Sequence, residues 1–236
     1  MFRRKKQEIS QKIFPLEEMV SELLKLGEQQ WGSYAFYHEP LERKFTEEQK
    51  KEYTARACAC GREEARKLMT QFPGRKVRDI IKDMGLKGEM PDLPTGGGHV
   101  IFAQYTEPDQ ILVFGDCVKK AEKMIEEANL WNCLGKVNIE EILFAHELFH
   151  AVEFQKKREI YTQTEKIELW RKPFSNKSKI LCLSEMAAME FAKELTGISF
   201  SPYVLDVLLM YGYEKEAASA LYEEILEAAG IREREE

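Results

Sequence analysis

The sequence predicts an α+β fold, mostly helical, with a small antiparallel β-sheet beside one strongly apolar helix. Three observations carry this. Helical apolar spacing dominates both ends of the 236-residue chain. Two short strand-like runs flank Pro108-Asp109 near its middle. A mostly apolar helical stretch follows them and holds two of the four histidines. At 27.5 kDa the chain can bury one substantial core, read here as a single domain over 1–236.

Residues 15–30 read as a helix, followed by the aromatic-rich run Trp31–His38, a packed connection or a contact surface. His38 is read there as a surface or turn residue. A second helix over 46–71 opens at Thr46, with Glu47, Glu48 and Gln49 in its first turn. Residues 88–98 hold Pro91, Pro94 and Gly96-Gly97-Gly98, a loop. No Lys-Ser/Thr follows those glycines, which excludes a phosphate loop. Val100–Tyr105 and Ile111–Phe114 read as a hairpin whose edge is a natural place for an extended peptide to pair. His99, just before it, is read as a loop histidine. A helix over 119–130 comes next.

The following helix, expected over about 139–158, starts at Asn138 with Glu141 three residues on, a capping-box pattern. It ends in Lys156-Lys157-Arg158, charges that suit a C-terminus. Inside it stands His146-Glu147-Leu148-Phe149-His150, an H-E-x-x-H motif. Histidines four apart lie on one helical face, so both imidazoles reach one metal ion. The carboxylate of Glu147 is then placed to take a proton from water activated by that metal. The plainer alternative is an amphipathic helix with two histidines at its core edge. Random placement of this composition gives the motif roughly one time in a hundred.

A catalytic zinc takes three protein ligands and keeps a position open. Glu153 and Lys156 stand where an extended H-E-x-x-H-x-x-G-x-x-H motif needs glycine and histidine, so that version is excluded. Glu153 shares the face of His146 but lies a turn beyond His150, and is expected to orient a ligand. Glu185, in Ser184–Ala192, is the better third ligand. It shares a stripe with Ala188 and Met189, on a helix ended by Gly197 whose alanines invite close packing. A carboxylate on an apolar stripe needs a partner. A metal ion would serve, and so would the free N–H groups of the helix start. Glu190 points away from the stripe.

Glu185-x-x-Ala188-x-x-Phe191-Ala192 resembles the glutamate-helix signature E-x-x-A-N-x-F-A of the ImmA/IrrE-type zinc metallopeptidases. Gly74–Leu86 is similar to that family's short helix and turn, and a strand pair follows in both. The resemblance covers roughly 55–200, leaving 1–54 as an N-terminal helical extension and 201–236 as C-terminal helices. It implies a zincin-like, gluzincin-type fold with one Zn2+ per chain held by His146, His150 and Glu185. Glu147 would be the general base. It also implies hydrolysis of peptide bonds in a protein or peptide substrate, in an intracellular regulatory setting with a regulatory protein as a further partner. Met189 stands at the family's asparagine, Phe149 replaces a glycine, and the segment 117–137 is longer than in compact members. Tyr105, Tyr161, Tyr203 and His99 are the candidate oxyanion donors. The alternative is a zinc-binding regulatory or interaction module without proteolytic activity.

After the glutamate helix, Ser201-Pro202 is expected to open a helix stopped at Gly212. A last helix over 214–229 closes at Gly230, and its stripe of Ala217, Ala218, Leu221, Ile225 and Ala228 packs internally or against a partner. The net charge of −6 and pI near 5.5 argue against direct nucleic-acid binding, the basic run Arg3–Lys6 being read as a solvated terminus. No apolar stretch approaches membrane-spanning length and no secretory leader is visible. Five cysteines, an odd number without paired zinc spacing, read as thiols in a reducing compartment, and the cytoplasm is the expected location.

Overall fold

The computed structural model describes residues 12–92, 101–170 and 176–232, and these are mostly helical with a small sheet. Three helices come first: α1 (Leu16–Leu23), α2 (Glu28–Tyr37) and α3 (Glu47–Gln71). The one helix expected over 15–30 is two, divided at Gly27, whose extended backbone (φ −87°, ψ 174°) starts α2. Trp31–Tyr37 is therefore helix rather than connection. Burial of Trp31, Tyr34 and Phe36 decides this, since their ring area outweighs modest helix propensity. α3 opens as expected: Thr46 Oγ1 accepts from the Gln49 N–H at 3.3 Å, and Gln49 Oε1 accepts from the Thr46 N–H at 2.9 Å. The boundary drawn at residue 54 falls inside this helix.

α4 (Val77–Asp83) leads through Gly85 (φ 75°) into β1 (Lys87–Glu89). β2 (Ala103–Thr106) and β3 (Gln110–Val113) form the expected hairpin. The sheet order is β1-β3-β2, with β1 parallel to β3. The sheet is thus mixed rather than antiparallel, because a three-residue Lys-Gly-Glu strand shows no alternation to read. β2 stays at an edge. Residues 93–100, with His99 and the glycine run, lie outside the described residues, as do Arg3–Lys6.

α5 (Gly115–Glu127), α6 (Trp131–Leu134) and α7 (Ile139–Gln155) follow. Asn138 Oδ1 accepts from the Glu141 N–H at 3.1 Å, the first half of the expected capping box. α7 stops three residues short of 158. After α8 (Tyr161–Thr164) comes an antiparallel hairpin absent from the sequence reading, β4 (Lys166–Trp170) with β5 (Asn176–Lys179). β4 alternates only briefly, through Ile167 and Leu169, and its partner β5 is wholly polar, so the pair carries no apolar face long enough to announce it. α9 (Cys182–Thr196) ends at Gly197 (φ 72°) as expected. α10 (Val204–Tyr211) begins beyond Ser201-Pro202, at an N-cap supplied by Tyr203. α11 (Lys215–Ala228) packs inward on α10 and α2, burying Ala218, Tyr222, Ile225 and Leu226.

α7 lies at the centre, against α9 on one side and β2 and β3 on another. It buries Phe144, Leu148, Phe149 and Val152, so its surface is apolar nearly all round. α9 is in turn sandwiched between α7 and α3. Its small residues Ala187, Ala188 and Ala192 are all buried. At Gly61 the α3 backbone comes so close that an added Cβ would lie 2.1 Å from the Ala187 carbonyl oxygen. Gly61→Ala is expected to force α3 and α9 apart and destabilise the protein by about 3 kcal/mol, read as a lower midpoint in chemical denaturation.

Glu64 of α3 is buried and pairs with Lys67 at 2.7 Å and with Lys156, the residue that closes α7. Burial disfavours its charge, but the two lysines outweigh this and hold its carboxyl below the ordinary range. The group therefore adds stability above the unfolded carboxyl value, and this is lost as pH falls through the lower folded value. Glu64→Gln should lower unfolding free energy by about 1–2 kcal/mol at pH 7. Denaturation curves at pH 7 and pH 3 should show the difference shrinking at the lower pH.

Candidate metal centre

The α7 helix holds His146 and His150 one turn apart, with their Nε2 atoms 3.2 Å from each other. Glu185, in the first turn of α9, completes the group. Its carboxylate oxygens lie 3.4 Å from His146 Nε2 and 3.6 Å from His150 Nε2. Three ligand atoms on a tetrahedral zinc, with bonds of about 2.0–2.1 Å, stand roughly 3.3 Å apart. The triad thus has the spacing and the N2O donor set that zinc takes. Charge agrees. Burial works against an imidazolium at His146, but Glu185 prevails and raises its pKa. Glu185 is half-exposed to the cleft but crowded by the site around it, which opposes its charge, yet His146 and His150 hold its carboxyl well below the usual range. Anion and basic nitrogens are gathered where a cation would sit.

Glu185 owes its position to the start of α9, which a distant residue secures. The buried carboxylate of Glu39 accepts from the Cys182 N–H at 3.0 Å and from the Leu41 N–H at 3.1 Å. It supplies the cap that Leu181, the local N-cap residue, cannot. Nothing local in the sequence signals this bond, which spans 143 positions.

Behind the histidines stands a layer of support. Ser184 Oγ lies 3.3 Å from His150 Nδ1 and donates to Glu153 Oε2 at 2.9 Å. With its hydroxyl proton committed to Glu153, Ser184 is left to accept from a protonated Nδ1. That tautomer presents the Nε2 lone pair to the triad. Glu153 also accepts from Thr162 Oγ1. Burial raises its carboxyl, but the hydrogen bonds from His150, Thr162, Gln163 and Ser184 lower it further than burial lifts it. Glu153 is placed to orient His150, as expected, and Ser184 is the intermediary that sequence reasoning missed.

The triad borders a cleft of about 750 Å3, walled on one side by Ala103, Gln104 and Tyr105 of the β2 edge. Glu147 is buried but opens into this cleft, and among the described residues no hydrogen bond or ion pair engages its carboxylate. Of the four candidate oxyanion donors, Tyr105 already donates to the Pro108 carbonyl at 2.7 Å. Tyr161 lies beneath the Arg56 guanidinium and lines neither cavity at the triad. The Tyr203 hydroxyl is buried, has no partner, and borders a second cavity that the triad shares. Phe149 packs on Phe191 with ring centroids 5.5 Å apart.

A second set of metal-type side chains, Glu28, Cys58 and Glu190, is already served by a cation. Arg62 Nη1 lies 2.7 Å from Glu28 and 2.8 Å from Glu190, so Glu190 is a structural partner and not a rival ligand. His38 pairs with Glu224 at 3.0 Å on the surface. All five cysteines are free thiols, and Cys58 and Cys60 face different neighbours. No described helix is long and apolar enough to cross a membrane. No family model, curated protein or solved structure matches the chain.

Proposed function

We propose that this protein is a zinc-dependent peptidase with a zincin-like arrangement of helices, acting on a protein or peptide substrate. One observation carries the reading. Two histidines and a glutamate from separate buried helices converge at 3.2–3.6 Å, beside the uncommitted carboxylate of Glu147. His146, His150 and Glu185 would hold the metal. Zinc, when bound, supplies a Lewis acid that acidifies water to a pKa of about 7 and polarises a carbonyl oxygen.

The protein's own residues do the rest. Glu147 takes a proton from the attacking water and returns it to the leaving amine nitrogen. The β2 edge offers unpaired backbone groups to an extended substrate and lays its scissile bond along the cleft. Tyr203, whose buried hydroxyl has no partner among the described residues and which borders the second cavity, is the favoured donor to the oxyanion. An intracellular setting with a regulatory protein as substrate or partner belongs to the same proposal.

Tag-free protein should contain about one zinc per chain by elemental analysis, and Glu185→Ala much less. Glu147→Gln should keep its zinc and lose on the order of 10²–10⁴-fold in peptide hydrolysis. Zinc retained with biological effect undiminished in Glu147→Gln would favour a non-proteolytic zinc module instead. No metal in the wild type, even after incubation with zinc, would end both readings.

Support for His150 is separable from ligation. Glu153→Gln should weaken zinc about 10–100-fold in competition with a chelating dye, with the zinc stoichiometry at saturation unchanged. An unchanged affinity would assign Glu153 to packing alone.

A further inference from the structure

On the far side from the β2 edge the triad borders a second cavity, about 660 Å3, between α2, α9 and α10. Its walls include Tyr34, Met189 and Tyr203, with Leu181 at 60% exposure, and two further basic residues border it, Lys179 bonded to Gln163 and His38 to Glu224. Apart from Glu185, one carboxylate lines it among the described residues: Asp206 of α10. That helix is otherwise an apolar segment, burying Val204, Leu205, Val207, Leu208 and Leu209. An acid there needs a reason.

The Asp206 carboxylate has no hydrogen bond or ion pair among the described residues. Burial raises its carboxyl to about 7, more than the attraction of His146 and His38 lowers it, and the Glu185 charge adds to the rise. The neighbouring Tyr203 hydroxyl is buried and unpartnered as well, and its ring stacks on Trp31 at 5.3 Å. Beside its apolar walls the cavity thus has two polar groups whose hydrogen-bonding capacity is unspent among the described residues, one of them anionic once ionised. Uncompensated buried polar groups are costly, and a ligand that satisfies them recovers that cost.

The geometry points to this cavity as the pocket for a lysine or arginine side chain of the substrate, with Asp206 as its counter-charge. Such a side chain matches the lining along its length. Its methylene stem suits the Met189 and tyrosine walls, and its cationic head reaches the carboxylate. A neutral apolar side chain would fill the walls and leave Asp206 unpaired. An acidic one would face both Asp206 and Glu185, against the exposed Lys179 that is already bonded to Gln163. The cleft at β2 reads backbone, whereas this cavity reads one side chain beside the scissile bond. That specificity role rests on the peptidase reading, although the cation pocket itself does not.

The test uses the full chain carrying Glu147→Gln, incubated with zinc, and alanine-based peptides with one variable residue: arginine, lysine, norleucine or glutamate. Binding is measured calorimetrically, and the unmutated protein is profiled in parallel for cleavage of a randomised peptide library. Arginine and lysine peptides should bind on the order of tenfold or more tighter than norleucine, as expected for a desolvated charge pair. Asp206→Asn should erase that difference and Asp206→Glu should restore part of it. Melting curves and zinc content identify any variant that fails to fold, and the norleucine comparison in the Asp206 protein stands without either variant. Norleucine binding as well as arginine, or a basic preference that survives Asp206→Asn, would overturn the pocket. Library cleavage without a basic preference would do so while leaving the peptidase reading intact. Basic preference lost in Asp206→Asn, with no zinc bound and no library cleavage, would sustain the pocket and remove the peptidase. Failure of every peptide to bind would overturn the pocket.

Discussion

The confinement of α9 between α3 and α7 is the constraint on which the rest of the molecule depends. A carboxylate meets two imidazoles only if its helix is held at a fixed height and rotation, and close packing of small residues does this. With no side chain at Gly61, the α3 backbone presses on the Ala187 carbonyl. Ala187, Ala188 and Ala192 keep the helices near one another. Dense interiors have few alternative arrangements, so a displacement of α9 cannot be absorbed by neighbouring side chains. Glu185 inherits its place opposite His146 and His150 from this packing, from the Glu39 carboxylate that caps α9 and from the Arg62–Glu190 pair between α3 and α9.

A charged site set into such an interior has to be neutralised in layers, and the layers here are unequal. On the His150 side the chain is saturated: Ser184 meets Nδ1, Glu153 accepts from Ser184, and Thr162 accounts for the other oxygen of Glu153. On the His146 side, Nδ1 is buried with no partner, the Tyr203 hydroxyl is likewise free, and Asp206 stands alone. Rigid orientation and open valence are thus divided between the two histidines. His150 is fixed by the protein, whereas the surroundings of His146 keep capacity for something that arrives from outside. In the proposed peptidase this division would place substrate recognition on α10 and α2 and leave positioning to α7 and α9.

Legibility in the sequence followed the range of the interactions. H-E-x-x-H, the Thr46 cap and the Gly197 stop are set within a turn of helix, where spacing alone fixes which side chains meet. The β2–β3 hairpin was readable for the same reason. Glu185 was legible because a carboxylate on an apolar stripe needs a partner, although the spacing could not say which. The three-residue parallel strand β1 and the four-residue polar strand β5 were not readable, since runs so short without alternation carry no period, and β4 had no readable partner. Glu39 is invisible because its partner lies 143 positions away. Asp206 is the instructive case: one acid in Val-Leu-Asp-Val-Leu-Leu reads as the wet edge of a helix until α2 and α9 are seen to enclose it.

That enclosure also changes what the chain ends are for. Residues 1–54 and 201–236 were set apart as additions to a core over 55–200, yet α2 and α10 supply Tyr34, Tyr203 and Asp206 to a cavity that touches the triad. α3 crosses the first of those boundaries and provides the surface against which α9 is positioned. A metal site on α7 and α9 alone would be open on the side away from β2. In the proposed peptidase, a substrate lying on the β2 edge would then have its backbone aligned while its side chains went unread. Helices α2 and α10 line that side with aromatic walls and the Asp206 carboxylate, so in this proposal the same elements that complete the core would also determine which side chain can lie beside the scissile bond.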